Sequence, residues 1–225
     1  MASLASTSYT IHYHGGFSGR AQGLDLICED AGATWKRGSK ADAEALKPGM
    51  FFAMPAVTND KGKGCGQTTA AAMWLGSELG YAPAAGFEHV ALKMACDIAD
   101  MWSEGYKARC SKDAAVCGEW LASGGRFERL LRAVDATKAD CASELPAGPF
   151  LLGAKPCYAD FLLLNAKLTM DFCFGAAAVA PSFATAGAGV SASVEATAER
   201  PRIKAFLEKS EPVLYGSVQG MPGSA

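Results

Sequence analysis

The sequence predicts an α/β unit followed by an all-helical one, with the boundary near residues 81–86. Three observations carry this. An alternating run at 9–14 leads straight into helical spacing, and a second strand-like run at 50–58 is also followed by a helix. From Ala84 onward the apolar stripes have helical period and no convincing strand returns. At 225 residues, half of them apolar, the chain is long enough for one large domain or two small ones with a sizeable core.

After the strand at 9–14, Ala21, Leu24, Ile27, Cys28 and Ala31 repeat at helical spacing, and Gly32 ends that helix. A polar, Lys-rich stretch runs from Trp35 to Lys47. Then come the strand-like residues 50–58, a turn at Asn59-Asp60-Lys61-Gly62 and a helix from Gln67 to about Leu79. In the second unit one helical stripe holds Phe87, Val90, Leu92, Ala95, Ile98, Met101 and Trp102; another holds Trp120, Leu121, Phe127, Leu130, Leu131 and Val134. An apolar buried helix opens after Pro156, and Pro201 opens the last one. Residues 172–194 carry no charge but are mostly Ala, Gly, Ser and Thr, too weakly apolar to span a membrane, and read as a small-residue connection, part helix and part loop.

The 21 basic and 23 acidic residues leave a net charge of −2 and no basic patch, which excludes a nucleic-acid or anionic-lipid partner. The first residues have neither a basic segment nor a long apolar one, so no secretory signal is read and the expected compartment is the cytoplasm. Eight cysteines without a C-x-x-C pair read as reduced, mostly buried thiols. His12 and His14, close together on one strand, suggest no metal site.

Two features point toward a peptide-like ligand. Pro55, inside an apolar run, marks either an edge strand or a cis-proline that turns the backbone of Met54 outward to pair with an extended peptide. Gln67-Thr68 opens a helix. Thr68 is either its N-cap or, with the amide of Gln67 and the free helix N–H groups, part of a cradle for a carboxylate.

Tyr9-Thr10-Ile11-His12-Tyr13, Gly19-Arg20-Ala21, Leu46-Lys47-Pro48, Met54-Pro55, Gln67-Thr68-Thr69-Ala70 and the segment from Gly153 to Phe161 stand in one register over nearly the whole chain. Together they resemble the cytosolic glutathione transferases, most nearly the tyrosine-type classes (sigma, mu, pi, alpha), with sigma the nearest. The resemblance implies a thioredoxin-like glutathione-binding domain over 8–82 and an all-helical domain over 86–217. It implies glutathione as co-substrate, no metal, a small hydrophobic electrophile as second substrate, detoxification chemistry and a homodimer.

By the same resemblance Tyr13 is the catalytic tyrosine that stabilises the glutathione thiolate, supported by Arg20. A free thiol titrates near about 8.5, and each unit of lowering is worth about 1.4 kcal/mol toward the thiolate. Lys47 would meet the glycine carboxylate, with Trp35 helping to wall that end. Met54, before Pro55, would pair with the cysteinyl backbone, and Gln67 and Thr68 would hold the γ-glutamyl group. Asp97, with Asp100 as its rival, would reach that group's amine from the neighbouring subunit. Phe17, Met101, Trp102 and Tyr106 would wall the second substrate. Asp160 would belong to a folding motif that caps a core helix, altered here because Cys157 replaces the usual Ser or Thr.

The chain departs from the family pattern just after Tyr13. His14 stands where Phe or Trp is usual, and one extra loop residue precedes Gly19-Arg20, which leaves Ser18 as the alternative activating hydroxyl. Three functional readings follow: a general transferase or isomerase, a non-catalytic binding or structural relative of crystallin or assembly-subunit kind, and a glutathione-dependent enzyme of one metabolite. No cysteine lies in this loop, which argues against thiol-exchange chemistry.

Overall fold

The computed structural model describes residues 7–47 and 49–209. A four-stranded sheet, order β2-β1-β3-β4, and three helices form the first unit. Strand β1 (Ser8–Tyr13) lies at its centre, because it pairs in parallel with β2 (Thr34–Ser39) and antiparallel with β3 (Ala56–Asn59). Parallel neighbours need a crossover, which α1 (Gln22–Ala31) supplies. Gly32 ends α1 in the left-handed conformation (φ 65°), and its N–H bonds back to the Cys28 and Glu29 carbonyls.

The stretch 35–47 is more ordered than its polar composition suggests. Residues 34–39 form edge strand β2, paired on one side only, where polar side chains suit exposure. Helix α2 (Lys40–Leu46) follows through a capping box in which the Ser39 hydroxyl accepts from the Asp42 N–H and the Asp42 carboxylate accepts from the Ser39 N–H. The strand read at 50–58 shrinks to β3, since residues 51–55 bend and the Met54–Pro55 peptide is cis. Strand β4 (Gly64–Gly66) has only three residues, and a Cβ on Gly66 would meet the Ala53 carbonyl oxygen at 2.7 Å. Helix α3 (Thr68–Leu79) closes the unit and ends at left-handed Gly80.

The second unit holds α4 (Glu88–Cys110), α5 (Ala114–Leu121), α6 (Arg126–Cys141) and α7 (Tyr158–Phe174). Helix α7 is its core: Phe161, Leu163, Ala166, Thr169 and Met170 are buried, and α4 and α1 pack against it. Gly23 lets α1 approach, because a Cβ there would lie 2.6 Å from Leu162. The capping motif is complete with sulfur in place of a hydroxyl. Asp160 accepts from the backbone N–H groups of Cys157 and Leu151, both at 2.8 Å, and from Ser193 Oγ at 2.6 Å.

The charge-free segment is not a loose connection. It finishes α7 and forms α8 (Ala176–Ala186) and α9 (Ala188–Ala198). Val179, Phe183 and Val190 are buried with Ser182, Ser193 and Thr197, so small polar residues carry packing that a search for large apolar ones overlooks. The start of α9 is capped from outside the segment, by Asp135 of α6, whose Oδ1 accepts the Val190 N–H at 3.0 Å.

Helix α10 (Pro201–Lys209) returns to the first unit. Just before it, Arg200 pairs with Asp30 of α1 at 2.6 Å, and the Tyr81 hydroxyl donates to the same Asp30 oxygen at 2.6 Å. Phe206 lies edge-on to Trp35, with ring centroids 6.4 Å apart. Residues 210–217 of the expected helical domain, and Pro48, lie outside the described residues.

Candidate functional site

Strand β1 carries Tyr13 to its end, where the chain turns through Gly15-Gly16 into a 3-10 turn at Gly19–Ala21. There a cavity of about 480 Å³ opens. Tyr13, His14, Gly15, Phe17 and Arg20 line one side; Trp102, Ser103, Tyr106 and Lys107 of α4 line the other. The wall is a run of rings: Tyr13–Phe17 at 5.9 Å, Phe17–Tyr106 at 5.8 Å and Tyr106–Trp102 at 5.0 Å between centroids. Trp102 is held by a bond from its indole N–H to Thr169 Oγ1 at 2.8 Å, and the Arg20 guanidinium lies 5.9 Å above its ring.

The cavity mixes apolar walls with groups able to donate. Tyr13 is 4% exposed and its hydroxyl has no hydrogen-bond partner among the described residues. Arg20 and Lys107 are without an ion pair among those residues. Burial pushes the Tyr106 hydroxyl above its ordinary range, reinforced by a bond with Cys110 and by the nearby Cys173 thiol and Tyr13. His14 places its ring edge-on to Tyr13, with centroids 4.8 Å apart.

A second hollow of about 490 Å³ adjoins the first. Its floor is the start of α3, Gln67 to Ala70, and its far side is Leu92, Cys96, Ala99 and Asp100 of α4. Arg20 and Ser103 line both hollows. Gln67 enters the helix with a positive φ of 72°, and neither it nor Thr68 forms a side-chain cap. Thr68 Oγ1 is buried with no partner among the described residues. An orphaned hydroxyl beside the free N–H groups of a helix start fits a carboxylate-bearing ligand.

The structure thus gathers Tyr13, Phe17, Arg20, Trp102 and Tyr106 at one hollow, and Arg20, Gln67 and Thr68 at the other. Ser18 is buried and lines neither. Met54 is buried beside Pro55, and neither its N–H nor its C=O has a partner among the described residues. Lys47 is exposed at the end of α2, where its carbonyl accepts from Met50 and Phe51, and it lines neither hollow.

Two expectations are corrected. Trp35 lines neither hollow: its indole N–H donates to Glu29 at 2.8 Å, its ring packs on Phe206, and it pairs with Tyr9, four residues before Tyr13. Met101 is fully buried in the core, one position round α4 from the cavity. Asp97, expected to act from a neighbouring subunit, is tied to Lys93 on its own helix at 2.7 Å, and its rival Asp100 lines the second hollow. The sequence reading also missed Ser103 and Lys107. The spacing of Leu92, Cys96, Ala99 and Ser103 marks one face of α4 and was the available signal.

Among the described residues no group of three or more His, Cys, Asp or Glu side chains is arranged to hold a metal ion, and no helix is long and apolar enough to cross a membrane.

Comparison with known proteins supports the architecture. The family described as "Glutathione S-transferase, C-terminal domain" matches residues 125–210. No curated protein sequence matches the chain. Among solved structures, the chain is similar to the glutathione S-transferase of Ascaris lumbricoides: 22% identity, TM-score 0.60, 92% of this chain and 99% of that one. It is similar to prostaglandin synthase D of Nilaparvata lugens: 17% identity, TM-score 0.63, 91% and 99% covered. A third is a monomeric glutathione S-transferase of the hookworm Necator americanus: 20% identity, TM-score 0.60, 91% and 98% covered. The chain has the glutathione transferase fold from end to end of these structures.

Proposed function

We propose that this protein is a cytoplasmic glutathione transferase of the tyrosine type, acting on a small hydrophobic electrophile by conjugation or isomerisation. One observation carries the reading: the unpartnered Tyr13 hydroxyl lines an apolar cavity that shares Arg20 and Ser103 with the hollow where Thr68 Oγ1 is orphaned. Glutathione supplies the nucleophilic thiol.

Gln67, Thr68 and the free N–H groups of α3 hold the γ-glutamyl carboxylate, with Asp100 placed to take its amine. The unpaired Met54 backbone takes the cysteinyl N–H and C=O, and the flexible Lys47 side chain takes the glycine carboxylate. Tyr13 donates to sulfur at the junction of the two hollows and favours the thiolate, and Arg20 adds positive charge there. Phe17, Trp102 and Tyr106 receive the electrophile.

The chain also forms a homodimer in this reading. Phe52, 78% exposed, stands with Met50, Met73 and Leu92 as large apolar side chains left to solvent in the single chain, and light scattering measures the state.

The enzyme test is retention on immobilised glutathione, followed by conjugation of 1-chloro-2,4-dinitrobenzene by the wild type and by Tyr13→Phe. Retention with turnover that collapses in the variant is expected. No retention overturns the proposal, and retention without turnover on any electrophile points to a binding role.

A further inference from the structure

Two histidines stand two residues apart in the chain, in opposite surroundings. His12, on β1, is 3% exposed and both its ring nitrogens are taken, by the Ser39 carbonyl at 3.1 Å and by Thr58 Oγ1 at 3.0 Å. His14 follows the end of the strand. There the turn at Gly15-Gly16, with Gly16 at a positive φ of 69°, leaves it exposed on the wall of the cavity beside Tyr13. Its ring lies edge-on to Tyr13, with centroids 4.8 Å apart, and neither ring nitrogen has a hydrogen-bond partner among the described residues.

Among the side chain types around this cavity, imidazole alone both takes and gives a proton readily near neutral pH. Arg20 and Lys107 offer donors and no acceptor, and no carboxylate is among the lining residues. Tyr13 is committed to sulfur. Burial, with a bond to Cys110, holds the Tyr106 hydroxyl above its ordinary range and makes it a poor acid. Ser103, the remaining polar group, carries an alcohol, a weaker acid still.

Some electrophiles need a proton carrier and others do not. An aryl chloride releases chloride, and no atom of the conjugate has to take a proton. An epoxide opens to an alkoxide, a charge that is costly to leave unprotonated against apolar walls.

We infer that His14 is the proton carrier of this site: a free ring nitrogen takes the proton that glutathione gives up and passes it to the oxygen of an epoxide. This role rests on the transferase reading of the cavity. The thiolate attacks one ring carbon and forms the S–C bond. The C–O bond to that carbon breaks, its electron pair stays on oxygen, and the oxygen takes the proton from the imidazolium, which ends neutral. Over the cycle the epoxide gains glutathione and nothing else, and the imidazole is unchanged.

Turnover of styrene oxide and of 1-chloro-2,4-dinitrobenzene is measured with the full-length wild type, with His14→Phe and with His14→Ala, the last also in imidazole buffer. His14→Phe is expected to lower kcat for the epoxide about a hundredfold more than for the aryl chloride, a usual effect of losing one general acid. Imidazole should restore epoxide turnover in His14→Ala and bring no gain with the aryl chloride. An equal fall for both substrates, or no rescue by imidazole, assigns His14 to the shape of the cavity and overturns the inference, while the transferase reading stands. A wild type that turns over the aryl chloride but not the epoxide does the same. A wild type that turns over neither overturns both.

Discussion

Arg200, in the joint before α10, lies 2.6 Å from the carboxylate of Asp30 on α1, across 170 residues of chain. The Tyr81 hydroxyl, from the segment joining the two units, donates to the same oxygen. Asp30 is 3% exposed and Arg200 31%, so the pair is only partly screened. Replacing Asp30 with Asn leaves a half-buried cation without its counter-charge. The expected loss is about 2 kcal/mol in urea unfolding, discounted from buried pairs for the exposure of Arg200. A cycle with Arg200→Gln should be non-additive, and additivity would show that the two residues do not act together.

His12 bridges three strands. From β1, its Nδ1 meets the Ser39 carbonyl at 3.1 Å and its Nε2 meets Thr58 Oγ1 at 3.0 Å. Burial holds its pKa below the ordinary value, against the opposing pull of the Ser39 carbonyl and Asp42. The unfolded chain therefore binds the proton more readily. His12's contribution is fully present above the unfolded value of about 6.5 and is lost as pH falls through the folded one. Thermal melts from pH 8 to 5 should show the wild type losing more stability than His12→Gln. Parallel curves would remove His12 from the account.

Thr68→Val separates binding from folding. The substitution removes a buried hydroxyl that has no partner, so stability should hold or rise by about 1 kcal/mol. Affinity for glutathione should fall about tenfold. A variant that loses stability and keeps its affinity would mean the hydroxyl serves the fold.

Tyr13→Phe should lower kcat/KM by about 10–100-fold and move the rise of its pH profile to higher pH, because the thiolate loses its donor. Ser18→Ala should leave both unchanged, since Ser18 lines neither hollow. The reverse pattern would pass the role to Ser18.

What could be read in the sequence follows the kind of interaction that fixed each part. Strand β1, α1 and their stop at Gly32 announce themselves through period and backbone conformation, and so does Gln67 at the start of α3. Strand β2 does not, because an edge strand needs no apolar alternation. Helix α9 depends on Asp135, 55 residues earlier, and no local window contains that cap. In the site, Thr68 is singled out by its place at a helix start, and Tyr13 and Arg20 by the family resemblance; the structure puts all three on the lining of the two hollows. Trp35 and Met101 were misplaced because a large apolar residue near a motif looks alike whether it faces a pocket or a core, and only packing against Phe206, or burial between helices, decides.

The contact of α10 with α1 also has a meaning in time. At about 5–20 residues per second, the ribosome needs roughly ten to thirty seconds to extend the chain from Asp30 to Arg200. Once residues 8–79 have been made, the first unit still lacks the guanidinium that neutralises Asp30 and the ring that covers Trp35 until residues 200–206 follow. The nascent protein is thus born with an uncovered flank, sealed only when residues 200–206 emerge.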